Sequence, residues 1–470
     1  MKKNVTVLSI VGASWLMAAC SAVGPNYSVP EHRLPASFSL TSDNTQELSA
    51  WWKSFGDADL NALVEHALAN NPDIAAAEAR LRQNRALQGM QDAASDPTLE
   101  AVGRVSKDNL SQNSEQFANV PLKHPLREFT NRQIGFDASW EIDFWGHQQR
   151  VSESALARSQ ATAERLQDVR IVLMAEVARN YIELRAAQQR LQIATANLHH
   201  YDESLRLMQF ALKHGEASQI DVQKSQAMRN NFQATLPGLQ QMMQQNIIAL
   251  SSLTTWSVQE IARRFSFPKA LMPVPQAPAT GLPADLLLHR PDVRAVERDL
   301  AAASADIGVA VSALYPRFSL VGNAGWASIQ SSSLLDANSR AWSVGPQFSL
   351  PIFNGQRLQN QVKANQAAFD VASENYKKSI LNAVGDVEIA LSRVSRNEES
   401  RRLLLVALDQ QQQTLAKTQR QLALGEVSQF SVLEIQKLIA VEQDQIVQTQ
   451  MQSLSGLVAL YKAVGGGWGQ

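Results

Sequence analysis

Residues 147 to 213 contain neither proline nor glycine. Within them apolar residues recur at alternating steps of three and four: Ala187, Leu191, Ala194, Leu198, Tyr201, Leu205, Met208 and Leu212. A seven-residue repeat keeps one seam facing a partner only when helices supercoil left-handedly, so the pattern predicts a coiled-coil arm. At 1.5 Å per residue, about 67 residues make an arm roughly 100 Å long, more than an ordinary globular domain contains. Residues 356 to 424 repeat the situation with no proline, one glycine (Gly385), and Leu408, Leu415 and Leu422 spaced seven apart.

The two arms belong to a duplication. KHGEASQIDV, at 213 to 222, returns as ALGEVSQFSV, at 423 to 432, so that Gly425 stands 210 residues after Gly215. The stretch that begins PDIAAAEARL at Pro72 lies without a gap over the one that begins PDVRAVERDL at Pro291, at a shift of 219, with identities that include Glu78/Glu297, Gly89/Gly308 and Gly103/Gly322. The end of WEIDFWG at Gly146 meets the end of SLPIFNG at Gly355, at a shift of 209. Self-similarity of this extent marks tandem copies of one unit. Each arm stops at its glycine, where a left-handed cap costs little. A second helical pattern follows, Ile220 to Leu250 in one copy and Phe430 to Ala463 in the other. The Gly-Glu-x-Ser-Gln element is therefore expected to be a helical hairpin turn with a Ser or Gln cap.

Between the helical stretches lie segments richer in glycine, proline and aromatic residues: Pro97 to Ser106, Arg132 to Phe144, Pro316 to Ala327 and Ala341 to Phe353. In FSLVGNAGWAS and WSVGPQFSLPIF small, polar and apolar residues roughly alternate, as a strand with two different faces requires. About ten residues is the length of a tilted membrane-spanning strand. The pairs are joined by polar loops, residues 107 to 131 and 328 to 340, which makes four strands in two hairpins. Trp326 and Trp342, near strand ends, are candidates for an aromatic belt, with core packing as the alternative.

MKKNVTVLSIVGASWLMAAC opens with Lys2 and Lys3, continues with an apolar run, and places two alanines before Cys20, the one cysteine of the chain. This is the pattern of a secretory signal ending at a lipid-attachment site, with a plain signal peptide and a chance cysteine as the alternative. One cysteine excludes an internal disulfide framework, and after Cys20 no apolar run is long enough for a transmembrane helix. An exported lipoprotein with only four membrane-type strands cannot span a bilayer alone, because an open sheet leaves edge amides and carbonyls unpaired in hydrocarbon. Copies must pool strands into one closed barrel, and the duplicated helical hairpins would form a second, helical barrel continuous with it.

The net charge of −1 gives no electrostatic reason to invoke nucleic acid. His199 and His200 are adjacent on a helix and point apart. No Gly-x-Ser-x-Gly, phosphate loop or His-Glu-x-x-His occurs. Glu141 and Asp143 share one face of a predicted strand, where facing lumen water explains them better than acid–base catalysis. The Met242-Met243 pair is read as helix packing rather than soft-metal transport. No enzyme activity, metal or cofactor is expected beyond the covalent lipid on Cys20.

The chain resembles the outer-membrane efflux proteins, the TolC-like channels, in the lipoprotein branch that serves resistance-nodulation-division pumps. The resemblance runs from CSAVGPNY and AWWKSFGDADLNALVEHALANNPDI through SWEIDFWG, LPADLLLHRPDVRAVERDLAAASADIGVAVSALYPRFSL, GPQFSLPIFNG and GEVSQFSVLEIQ to VGGGWG. It implies a mixed α and β membrane protein, a homotrimer with a 12-stranded β-barrel and a long periplasmic α-helical barrel, and an equatorial region near mid-arm formed by Phe265 to Leu282 and the terminal segments. It implies a passive exit duct for drugs or other small toxic compounds in the outer membrane of a Gram-negative bacterium, working with a periplasmic adaptor and an inner-membrane pump. A duct for secreted polypeptides is the alternative on the same fold, and a lipid-anchored enzyme or a purely structural coiled coil is a third reading. The expected layout is a signal peptide at 1–19, a lipidated linker at 20–50, a first repeat at 51–255, an equatorial linker at 256–285, a second repeat at 286–463 and a tail at 464–470.

In the family, acidic residues six to nine positions after the hairpin glycine line a periplasmic constriction. By that resemblance Asp221 and Glu434 are aperture residues, with solvated helix-end carboxylates as the plainer reading. Where the best-known member places Tyr, Arg and a second Asp around the other turn, this chain departs with Leu422, Val427 and Ser431. The tip residues Gly215, Glu216, Ser218, Gly425, Glu426 and Ser428 are expected to dock the adaptor.

Overall fold

The computed structural model describes residues 22–30, 48–111, 128–275 and 284–466. The signal peptide, Cys20 and the last four residues lie outside them. The helices are α1 (Ala58–Asn70), α2 (Pro72–Ala93), α3 (His147–Lys213), α4 (Gln219–Gln233), α5 (Leu236–Thr254), α6 (Val258–Arg264), α7 (Pro291–Ser312), α8 (Arg357–Ala423) and α9 (Gln429–Ala463). The strands are β1 (Thr98–Asn109), β2 (Glu128–Ile142), β3 (Arg317–Ser328) and β4 (Arg340–Ser349). The duplication is literal in length: α2 and α7 each have 22 residues, and α3 and α8 each have 67. The chain divides into two units, one built on residues 81–161 and 296–375 with the N-terminal segment, the other on 31–80, 162–295 and 376–470.

The first unit holds one antiparallel sheet in the order β1-β2-β3-β4. The two hairpins, one from each repeat, join through the β2–β3 pair, which runs from Arg132 opposite Ser328 to Ile142 opposite Phe318. At the Gly135–Gly325 pair a Cβ on Gly135 would come 2.8 Å from the Gly325 Cα, so glycine at both positions lets the two repeats approach here.

In the second unit the middle of α3 is the packing axis. Tyr181, Ile182, Leu184 and Ala186 are fully buried, and Leu60, Leu63 and Val64 of α1 join them in the core. Trp51 stacks on Tyr461 of α9, with ring centroids 5.1 Å apart. The non-helical segment after α6 is fastened to α3: Arg185 Nη1 donates to the Phe267 carbonyl at 3.0 Å, and the Leu271 amide donates to Gln189 Oε1 at 3.2 Å. Lys269 reaches Asp57 at 2.9 Å, and Asp57 also caps α1 by accepting the Asp59 and Leu60 amides. Arg290, of the HRPD sequence, bonds Asp292, Asp386 of α8 and the Ala463 carbonyl at the end of α9.

Two expectations are corrected. The helix from Ile220 to Leu250 is broken: α4 ends at Gln233 and α5 begins at Leu236, with Pro237 at its first turn. Proline fits an N-terminal turn because its missing amide has no helical acceptor there. Glu141 and Asp143 do not share a strand face, because β2 ends at Ile142 and the Asp143 carboxylate accepts the His147 and Gln149 amides at the start of α3.

Burial pushes the Asp57 carboxyl up, but Lys269, the Leu60 amide and the Tyr181 hydroxyl together hold it below its ordinary value of 3.8. Its stabilising contribution is present above that value and is lost as pH falls through the lower folded value. Lys269→Met is expected to cost about 1 kcal/mol at neutral pH and to move acid unfolding to higher pH, since burial then dominates; a pH series of thermal melts measures both.

Candidate functional site

Strand register sorts the sheet into two chemically distinct faces. On one face Leu99, Ala101 and Gly103 lie opposite Ala138, Phe136 and Ile134, which lie opposite Gly322, Ala324 and Trp326. The face continues onto β4, where Phe348, Pro346, Val344 and Trp342 lie opposite Phe318, Leu320, Gly322 and Ala324. Its charges all stand at the loop end, where Arg132 lies opposite Val105, Lys107 opposite Thr130, Glu128 opposite Asn109 and Arg340 opposite Trp326. The apolar side chains are uncovered: Val105 is 72% exposed, Phe348 71% and Trp342 75%. An apolar face of this continuity belongs in hydrocarbon, with Trp326, Trp342 and the charged residues gathered at its loop end.

On the other face Glu100, Asp137, Asn323 and Ser343 form one cross-strand row and Arg104 lies opposite Gln133. Water is the solvent for that face. The outer edges of β1 and β4 pair with nothing among the described residues.

The duplicated turns have the same backbone. In the first, the Glu216 amide donates to the Ala211 carbonyl at 2.9 Å and the Gly215 amide to Leu212 at 3.1 Å; in the second, Glu426 donates to Gln421 at 2.9 Å and Gly425 to Leu422 at 3.0 Å. Both glycines have φ of +75°. This is the Schellman closure, which consumes the last helical carbonyls and needs a left-handed residue. Gly-Glu-x-Ser is thus an end-and-restart signal, with Ser218 and Ser428 as the N-caps of α4 and α9.

The turns differ one step later. Ser218 and Asp221 form a reciprocal capping box: the Asp221 amide donates to Ser218 Oγ at 3.2 Å, and the Ser218 amide donates to Asp221 Oδ2 at 3.1 Å. The Ser218 hydroxyl and amide hold the Asp221 carboxyl below its ordinary range. In the second turn Ser431 occupies the box position and Ser428 makes no side-chain cap bond. Glu434, one of the two aperture candidates, pairs with Lys437 at 2.8 Å, and the Lys437 ammonium stands 4.5 Å from the Tyr201 ring of α3. Asp221 and Glu434 are not bonded to each other. The six tip residues Gly215, Glu216, Ser218, Gly425, Glu426 and Ser428 are all exposed.

Tyr201 is a heptad position in the sequence, but its contact with Lys437 is not legible there, although a lysine three residues after Glu434 is a legible sign that the carboxylate has a partner. The hairpins are also tied by Arg229 to Asp202 at 2.8 Å and Arg190 to Asp444 at 2.7 Å. No cluster of His, Cys, Asp or Glu among the described residues is arranged to hold a metal, and none of their helices is long and apolar enough to cross a membrane.

The sequence profile described as outer membrane efflux protein matches residues 63–255 and 282–466. The chain belongs to that family. Among its relatives, the pyoverdine export outer membrane protein OpmQ of Pseudomonas aeruginosa is 31% identical, over 98% of this chain and 97% of OpmQ. The solvent efflux pump outer membrane protein SrpC of Pseudomonas putida is also 31% identical, over 88% of this chain and 86% of SrpC. The solved structure of the outer-membrane channel OprN matches 95% of this chain and 99% of its own at a TM-score of 0.85, with 29% identity. As an outer membrane efflux protein the chain is a transport component of the Gram-negative outer membrane, which gives the sheet's apolar face its solvent.

Asp221→Ala is expected to lose the capping box at about 1 kcal/mol, while Ser431→Asp supplies one to the other turn. Hydrogen exchange of the first-turn amides of α4 and α9 should speed up in the first variant and slow in the second.

Proposed function

We propose that the chain is the exit duct of a tripartite efflux assembly: a homotrimer whose three sheets close into a 12-stranded barrel, joined through its helical turns to a periplasmic adaptor and an inner-membrane pump. The observation that carries this reading is the four-stranded sheet with an apolar face, a polar face and two unpaired edges. Four strands are too few to close, and unpaired edges are costly in lipid, so β1 of one copy pairs with β4 of the next. The polar row Glu100–Asp137–Asn323–Ser343 then lines a water-filled lumen.

The duct serves small solutes and catalyses no reaction. Relatives named for pyoverdine export and for solvent efflux favour that cargo over secreted polypeptides. Cys20 carries the lipid that anchors the mature N-terminus. Asp221 and Glu434 stand at the aperture, where rings of carboxylates favour cations; the capping box holds Asp221 ionised, and Lys437 offsets part of the Glu434 charge. The exposed turn residues dock the adaptor.

Deleting the gene and scoring sensitivity to dyes, antibiotics and metal salts tests the function; an unchanged profile in a strain without a second such channel would sink it. Phe136→Arg, on the lipid face, is expected to destabilise the barrel by about 2–4 kcal/mol, whereas Asp137→Arg, one residue on, should leave assembly intact and shift bilayer conductance toward anions. If Asp221→Ala combined with Glu434→Ala leaves conductance and cation preference unchanged, the aperture assignment is wrong.

A further inference from the structure

A cavity of about 470 Å³ opens at the break between α4 and α5, wholly inside the second unit. Its walls come from α3, from both sides of the break and from α9. Ile193, Phe232, Leu239 and Met242 supply apolar lining. Small-molecule sites have this size and this character, with a few polar groups that fix orientation.

Most of the polar groups at this wall are already bonded. Arg190 and Asp444 neutralise each other through two hydrogen bonds, Nε to Oδ1 at 2.7 Å and Nη2 to Oδ2 at 3.2 Å. Gln448 donates to the same carboxylate, and the Thr235 hydroxyl donates to the Phe232 carbonyl at 2.7 Å. Asn197 differs. It is 2% exposed, and its Oδ1 has no hydrogen-bond partner among the described residues. A buried acceptor is costly to leave without a donor, and at the wall of a cavity a ligand can bring one. The duplication shows that the arm does not need this residue for its own packing. Between the first residues of α3 and α8, 147 and 357, the shift is 210, and at that shift Arg190 and Asn197 become Ser400 and Ala407.

We propose that this cavity binds a small uncharged aromatic molecule with one hydroxyl, of the phenol or naphthol class, whose hydroxyl donates to Asn197 Oδ1. The ion pair leaves no net charge to select an ionic ligand. Phe232, whose ring stacks on Tyr201 with centroids 4.8 Å apart, and the Met242 thioether favour a flat ring as the body of the ligand. A molecule held there touches α3, both sides of the break and α9 at once. It therefore splints the joint between α4 and α5, so that occupancy of the cavity sets how stiff this return helix is.

The test uses the full-length protein in lipid nanodiscs, with empty nanodiscs to subtract partition into lipid. The probes are 2-naphthol and 2-methoxynaphthalene, which keeps the rings and lacks the donor. Hydrogen exchange over residues 232–242 is the readout. The naphthol is expected to slow exchange there by about tenfold or more, at a half-saturating concentration about tenfold below that of the ether. Asn197→Leu, similar in volume, is expected to remove that preference. Gly238 lines the cavity and a Cβ there would meet nothing within 4 Å, so Gly238→Leu adds bulk without a clash and is expected to weaken both probes by about tenfold. Equal effects of the two probes on the native chain overturn the hydroxyl's assignment to Asn197, as does a preference that survives Asn197→Leu. Naphthol at saturation with exchange over 232–242 unchanged overturns the splint. Should Asn197→Leu fail to fold, the two probes on the native chain still decide.

Discussion

A peptide group in hydrocarbon has to find its hydrogen-bond partner within protein, and among the described residues the outer edges of β1 and β4 are where one chain fails to provide it. The rest of the architecture answers that demand. Duplication brings two strand hairpins into one chain, and the β2–β3 pair welds them into a single sheet, with glycine at 135 and 325 allowing the seam. The sheet still has two edges, and only further copies remove them. In the proposed trimer, assembly is therefore a condition for the membrane part to exist rather than a refinement of it.

The helices obey a different solvent. Their peptide groups are paired internally, so what they require is side-chain packing along a great length. The heptad positions of α3 from Ala187 to Leu212 are all buried or half-buried, and polar ties such as Arg190–Asp444 fix which helix lies beside which. At mid-arm, where Tyr181 and Arg185 sit, the seam is locked by an ionic and hydrogen-bonded cluster with Asp57, Asp59 and Lys269. An arm without such a lock has only a periodic stripe to set its register, and a stripe slips by whole heptads at small cost.

Local features were legible in the sequence and contacts across the fold were not. The unbroken arms, the four strands and both turns follow from where glycine and proline occur and from residue periodicity. At the loop end β1 and β2 extend beyond the segments assigned to them, to Asn109 and back to Glu128, because polar residues alternate as well at a lipid–water boundary as in a loop; at the other end β2 stops at Ile142 and β4 at Ser349, short of the expected Phe144 and Phe353. Pro237 and Gly238 mark the interruption before Leu236, but a helical apolar pattern resumes at once and masks it. The end of β2 before Asp143 carries no signal of its own in the sequence. The partnership of Glu434 with Lys437 lies within one helical turn, but the Tyr201 ring beneath them and the Arg290 clamp join residues far apart in the chain, and no spacing rule reaches them.

The break between α4 and α5 has no counterpart in the other repeat, where α9 runs 35 residues without interruption. A hairpin with a jointed return helix bends more easily than one with a continuous return helix. Around the axis of the proposed trimer the two kinds of hairpin would alternate, so that assembly would have near-sixfold symmetry in outline and threefold symmetry in stiffness. A widening of such a wall would proceed through three compliant staves moving against three rigid ones, and its intermediate cross-section would be triangular rather than round.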